Sequence, residues 1–229
     1  MLPIRDSARS GKTPFITWAI ILANVLVFFQ EILAPEPERF INQYALIPKS
    51  VNFLSPVSFS PFLTSLFLHA GWVHLISNMW FLKIFGDNVE ATLGHIKFLF
   101  IYLAWGIVAG LVQYLFLVTS SIPMLGASGA IAGVLGAYMV FFPYSKIEVL
   151  VPTYGFWTRA LVPAPFMLFY WFITQLFSGT ASIVVGTAAV GGVAWWAHAG
   201  GFAAGYLTAK IFPKKREKGE ILYPDEIWL

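Results

Sequence analysis

Few side chains in this sequence could do chemistry away from water, and they fall into three short stretches. Ser128 stands in Gly126-Ala127-Ser128-Gly129, His198 in Ala197-His198-Ala199-Gly200-Gly201, and His69, His74 and Asn78 follow one another closely. Each stretch is embedded in apolar sequence, where ionisable and amide groups are costly enough to count as functional candidates. A serine hydroxyl becomes a nucleophile when a neutral imidazole accepts its proton. Plainer uses stand beside this one: a serine among small residues serves as a helix-packing contact, and a buried histidine as a hydrogen-bond donor. The Gly-Ala-Ser-Gly string is not the GxSxG elbow of the α/β-hydrolases, because its second glycine comes one residue early.

No acidic residue lies in the middle of an apolar run, so a Ser–His pair here is a dyad without a third carboxylate. The lysines lie at run ends, which disfavours a Ser–Lys pair. His74 and Asn78 are four apart and share one helical face. They can bond a neighbouring helix, or both donate to a tetrahedral oxyanion, worth about 3 to 4 kcal/mol for one such donor in a soluble protease. Metal binding is the rival use. On one continuous helix, however, His69 and His74 point about 140° apart, unlike the pair in HExxH, and no glutamate base accompanies them. The chain has no cysteine, which removes thiolate catalysis and cysteine metal sites. No metal and no cofactor are expected.

The elements that must position these groups are membrane helices. Hydrophobic residues make up 58% of the chain and charged ones 11%, against about a quarter charged in soluble domains. A helix needs about 20 apolar residues to cross the hydrocarbon core. Six runs qualify as spans: Phe15 to Leu33, Pro61 to Leu82, Ile96 to Val118, Gly126 to Phe142, Leu161 to Phe177 and Gly191 to Phe212. The expected fold is an all-α membrane protein, a six-transmembrane helical bundle forming a single membrane domain over residues 1–229. The first run is too long for a signal peptide's apolar core. The Gly/Ala-rich stretch from Thr180 to Val190 reads as a loop leading into the last span.

Of the 14 basic residues, all but Arg39 and Lys49 fall on one side if both termini are cytoplasmic, as the positive-inside rule asks. Residues 1–13 then form a basic cytoplasmic segment, 34–60 the first external loop, and 213–229 a cytoplasmic tail. The apolar content of that loop predicts that it lies partly in the outer membrane interface. The basic residues form no stripe with stacking aromatics, so no nucleic-acid partner is expected. An ion-coupled transporter would want an intramembrane carboxylate, and none is offered. Gly201 and Gly205 form a GxxxG, suited to close helix contact.

Depth joins the candidates. The run from Gly126 to Phe142 is about 25 Å long, shorter than a core of about 30 Å. It is therefore expected to begin below the outer surface, with Ser128 in its first turn. Free backbone N–H groups at a helix start favour negative charge there. His198, counted from Gly191, lies roughly 10 Å down from the outer end at about 1.5 Å per residue, the same depth.

At these residues the sequence resembles the rhomboid family of intramembrane serine proteases. The strings are His69-Ala-Gly-Trp-Val-His74-Leu-Ile-Ser-Asn78, Gly126-Ala-Ser128-Gly129, Ala197-His198-Ala-Gly-Gly201, and Phe85-Gly-Asp-Asn-Val-Glu90 with Gly94, read as a second loop. The resemblance implies that Ser128 is the nucleophile and His198 the general base. It implies an oxyanion hole of His74, Asn78 and the Ser128 backbone N–H, with the Ala127 N–H beside it, and His69, Gly126 and Gly129 shaping the site. It further implies cleavage of single-span membrane proteins near the outer face of the lipid bilayer, through an acyl-enzyme. The Trp-Arg pair that some members carry in the first loop is missing here. Six spans with short tails look like the minimal prokaryotic form, which places the chain in a prokaryotic inner membrane.

Overall fold

The computed structural model describes residues 2–8, 11–185 and 194–212. The chain is mostly helical, with eight α-helices and three strands among the described residues. Helix α1 (Phe15–Leu33) follows Pro14 and stops at Ala34, whose extended backbone suits the proline after it. Its burial is inside-out for a soluble protein. Thr17, Asn24 and Glu31 are buried together with Ile20 and Phe28, whereas Phe15, Trp18, Leu22, Leu26, Phe29 and Leu33 are exposed. Polar groups turned inward and an apolar stripe turned outward is the arrangement lipid selects. A short helix, α2 (Pro37–Tyr44), begins with proline at its first position and opens the loop that was expected in the interface. That loop buries Ala45 and Leu46 while exposing Phe53, Leu54 and Val57.

The second run is not one straight span over Pro61–Leu82. A single turn, α3 (Pro61–Thr64), and a 3-10 turn at Ser65–Phe67 precede α4 (Trp72–Leu93), and the two pieces meet at 80°. His69 lies in the break, where Glu31 of α1 accepts its backbone N–H at 3.1 Å. The helix then runs on to Leu93, so the string Phe85 to Glu90, expected in a loop, is helical. Glu90 is fully buried there and accepts the Ile16 and Thr17 backbone N–H groups at 2.9 and 2.7 Å. It thus supplies the open first turn of α1 with the acceptor and the negative charge a helix start favours. Gly94 ends α4 at φ +83, and α5 (His95–Phe116) follows at once.

Helices α6 (Ser128–Phe141) and α8 (Trp195–Ile211) form the centre. They touch backbone to backbone: a methyl group added at Gly201 or Gly205 would overlap the carbonyl oxygens of Gly129 or Gly133. The expected GxxxG contact is met by a second pair of small residues at the same spacing on α6. Helix α5 flanks both, with Trp105 Nε1 donating to Thr208 Oγ1 at 3.1 Å.

The all-α expectation fails at the other end of α6, where the described chain forms an antiparallel sheet in the order β1 (Leu2–Asp6), β2 (Lys146–Thr153), β3 (Phe156–Pro163). Tyr154 and Gly155, both at positive φ, make the two-residue hairpin turn that matches the natural strand twist. Ile147 and Val149 of β2 are fully buried in the core. Residues 161–163, the expected start of the fifth span, therefore belong to β3. Helix α7 (Ala164–Val185) replaces that span and absorbs the first part of the loop expected from Thr180 to Val190. The rest of that loop, the start of the sixth expected span at Gly191, and the tail 213–229 lie outside the described residues.

Among the described residues three helices, α1, α5 and α7, are long and apolar enough to cross a membrane, or four if the bent pair counts as one span. Helix α6 falls short, at about 21 Å by the usual rise.

Candidate active site

Helix α6 begins at Ser128, in the first turn as expected, and its first intrahelical bond from this end runs from the Ile131 N–H to the Ala127 carbonyl at 3.0 Å. The N–H groups of Ser128, Gly129 and Ala130 are thus left without intrahelical acceptors. His198 stands in the first turn of α8. The backbone contact between the two helices brings them together: His198 Nε2 lies 2.8 Å from Ser128 Oγ, within hydrogen-bond reach for a base and the hydroxyl it serves.

The ring of His198 is held on its far side too. Its Nδ1 is 2.8 Å from Oε1 of Gln175 on α7. Trp171, one turn earlier on α7, lies 5.8 Å from the imidazole between ring centres, and Trp195 sits edge-on at 6.2 Å. The start of α8 is pinned by Gln113 of α5, whose Oε1 accepts the Ala197 N–H at 3.0 Å. Sequence reasoning passed over both glutamines. The signal was an amide in an apolar run, the same cost that singled out Asn78.

His74 and Asn78 share a face of α4 and converge on Gly126. A Cβ there would lie 2.8 Å from His74 Nε2 and 3.6 Å from Asn78 Nδ2, so only glycine fits, and its φ of +118 asks for glycine as well. The Ala70 N–H approaches His74 Nδ1 at 3.4 Å. Since a backbone N–H can only donate, this leaves the ring proton on Nε2, the atom that faces Gly126. Asn78 Nδ2 donates to His69 Nε2 at 3.0 Å. His69 is off the helix, so the 140° divergence drawn for a continuous helix does not apply; its ring lies 5.1 Å from that of His74. Gly126 in turn donates its N–H to the Ser65 carbonyl at 2.9 Å, tying the start of α6 to the bent segment. Gly129 sits against Ala109 and Ala197, where a side chain would clash.

A hydroxyl against an imidazole, beside a helix start and a cluster of polar side chains, is an arrangement suited to acyl transfer. A family model described as Rhomboid domain matches residues 57–215. The human mitochondrial presenilin-associated rhomboid-like protein is 34% identical over 140 residues, which are 60% of this chain and 36% of that protein. Rhomboid protease GluP of Bacillus subtilis is 32% identical over 147 residues, 64% of this chain and 28% of that one. Rhomboid-like protein 11, chloroplastic, of Arabidopsis thaliana is 38% identical over 100 residues, 44% and 32% of the two chains. The matched part thus spans about a third of the length of these relatives. Their names include mitochondrial and chloroplastic proteins, so kinship supports an integral membrane protein and does not support the narrower placement in a prokaryotic inner membrane. With the family model matching well over half of it, this chain belongs to the rhomboid family of membrane proteins.

Proposed function

We propose that the protein is an intramembrane serine endopeptidase acting on single-span membrane proteins. The observation that carries the reading is the 2.8 Å contact between His198 Nε2 and Ser128 Oγ. Ser128 Oγ attacks a carbonyl carbon of an unwound stretch of substrate helix while His198 Nε2 takes its proton. The oxyanion that forms is met by the Ser128 backbone N–H with that of Ala127 beside it, by Nε2–H of His74 and by the Asn78 amide. His198 then returns the proton to the leaving amine, the C–N bond breaks, and water hydrolyses the Ser128 ester by the same route. Unwinding is required because a helical carbonyl is already bonded four residues on. Six spans with both termini cytoplasmic put the short helix α6 below the outer face, and the positions of the basic residues support that orientation.

The test is purified protein in nanodiscs with a fluorescent single-span substrate and a fluorophosphonate probe. The wild type should cleave the substrate and take the probe on Ser128. Ser128→Ala and His198→Ala should each lose about six orders of magnitude in kcat, as triad residues do in subtilisin, while remaining folded. Full turnover by Ser128→Ala would reject the assignment. Substrate capture without cleavage or labelling in the wild type would point instead to a non-catalytic binder of membrane clients.

A further inference from the structure

We infer that Gln175 is the third member of this site: its Oε1 fixes the tautomer and orientation of His198 that allow Nε2 to take the Ser128 proton. The inference rests on the Ser–His reading above and adds a residue to it.

The amide's orientation follows from its own bonds. Gln175 Nε2 donates to the Trp171 carbonyl at 3.2 Å and to Thr174 Oγ1 at 3.1 Å. The Thr174 hydroxyl spends its proton on that same carbonyl at 2.6 Å, so its oxygen can only accept from the amide. Turning the amide over would set Oε1 against the Trp171 carbonyl oxygen, two acceptors facing each other. Oε1 therefore faces the imidazole. An amide oxygen has no proton to give, so the 2.8 Å bond to Nδ1 exists only if Nδ1 carries hydrogen. A neutral imidazole has one N–H, which leaves the lone pair on Nε2, the atom lying 2.8 Å from Ser128 Oγ. The proton inventory closes in one arrangement: Ser128 donates to Nε2, and Nδ1 donates to Gln175.

Burial makes the constraint count. Gln175 is 5% exposed, so no bulk water replaces its oxygen, and a wrong tautomer would strand Nδ1 against it. A carboxylate could do the same work at the added cost of a charge at membrane depth. A neutral amide orients the ring without that cost, as the asparagine of papain-like proteases does. Gln175 is a positioning residue, since it touches the base and not the substrate.

The groups facing His198 are Ser128 on α6, Gln175 and Trp171 on α7, Trp195 on its own helix, and the ionisable His74 on α4. His74 is common to every enzyme compared below, so a change in pH profile is assignable to position 175. The experiment measures kcat, KM and the pH dependence of kcat/KM for full-length wild type, Gln175→Met and Gln175→Glu in nanodiscs. Gln175→Met keeps the volume and removes the acceptor; kcat should fall by about 10² to 10⁴, the upper figure being the loss when a triad's orienting aspartate becomes asparagine, with KM held. Gln175→Glu keeps an acceptor and adds charge. It should retain measurable turnover and move the acid limb to higher pH, because a carboxylate beside the ring favours imidazolium. A purely packing role predicts the reverse order of turnover, with methionine the better tolerated in an apolar site. Wild-type kcat in Gln175→Met, or an unshifted limb in Gln175→Glu, overturns the inference, and the glutamate variant decides if the methionine one does not fold. Failure of the Ser–His reading is separately visible, as wild-type protein that neither cleaves nor takes the fluorophosphonate.

Discussion

The two ends of α6 are built on opposite principles. At the Ser128 end the helix shows glycine and alanine to its neighbours, leaves first-turn N–H groups free of intrahelical acceptors, and holds its hydroxyl against His198. At the Phe141 end large side chains fill the space. Tyr138 is fully buried and donates its hydroxyl to Asp6 at 2.5 Å, and the same carboxyl oxygen accepts from Asn88 at 2.8 Å. Strand β1, which carries Asp6, is fastened further by Trp80 Nε1 donating to the Pro3 carbonyl at 2.7 Å and by a Glu148 carboxylate clamped between Arg5 and Arg159. One end keeps backbone N–H groups without intrahelical acceptors beside a serine and a histidine, and the other uses polar groups up in anchoring the helix. A helix whose first turn holds a serine against a histidine is best secured at its other tip, where every polar group can be bonded.

The sharpest way to break that division is to separate α6 from α8 altogether. Leucine at Gly205 would drive its side chain into the Gly133 backbone, which has no rotamer to yield. Overpacking that forces backbone shifts typically costs about 1 to 3 kcal/mol and occasionally more, and a clash with backbone on both sides belongs at the upper end. Gly205→Leu should therefore lose cooperative unfolding and cleavage together, read by thermal scans and by substrate turnover. Survival of both would mean that the close helix contact does not hold Ser128 and His198 in register. Next in size is an effect confined to the Ser128 end. Asn78→Ala should lower kcat by about 10² to 10³, the loss seen for one oxyanion donor. Tm should fall as well, because removing the amide leaves the buried His69 Nε2 without its donor, a cost of about 1 to 3 kcal/mol. An unaltered kcat would remove Asn78 from the oxyanion hole.

The Ser128 end was readable from sequence because serine, histidine and asparagine are rare in apolar runs, and GxxxG announces a close contact. The Phe141 end was not. Strand β1 pairs Leu2 with Leu150 and Asp6 with Ile147, a match between distant segments that no local pattern reveals. The hairpin from Lys146 to Pro163 is rich in valine, leucine and aromatics, so its last residues merged with the helix behind them into one apolar run. The break at His69 was hidden in the same way, since residues on either side of it are as apolar as a span. Gln175 escaped although an amide in an apolar run carries the same cost as Asn78, because no motif surrounds it.

The smallest predicted effect belongs to the Phe141 end and has a definite sign. Burial pushes the Asp6 carboxyl up to about 7, repulsion from Asp87 adding to it against the bonds from Tyr138 and Asn88. Glu148 on the neighbouring strand is held below the usual carboxylate range, first by its hydrogen bond to Arg5. An aspartate in the unfolded chain titrates near 3.9, so the folded state binds the Asp6 proton more tightly. Its contribution to stability is full below about pH 4 and is lost as pH rises toward 7. Asp6→Asn keeps an oxygen for Tyr138 and Asn88 and removes the ionisation. The variant should match the wild type at pH 4.5 and melt above it at pH 8, at about 2 to 4 °C per kcal/mol for a chain of this length. Parallel Tm curves across that range would show that the carboxylate is not confined between α4 and α6. At a fixed pH, and at a temperature well below both Tm values, cleavage should be unchanged, because Asp6 bonds the Phe141 end of α6, away from Ser128 and His198.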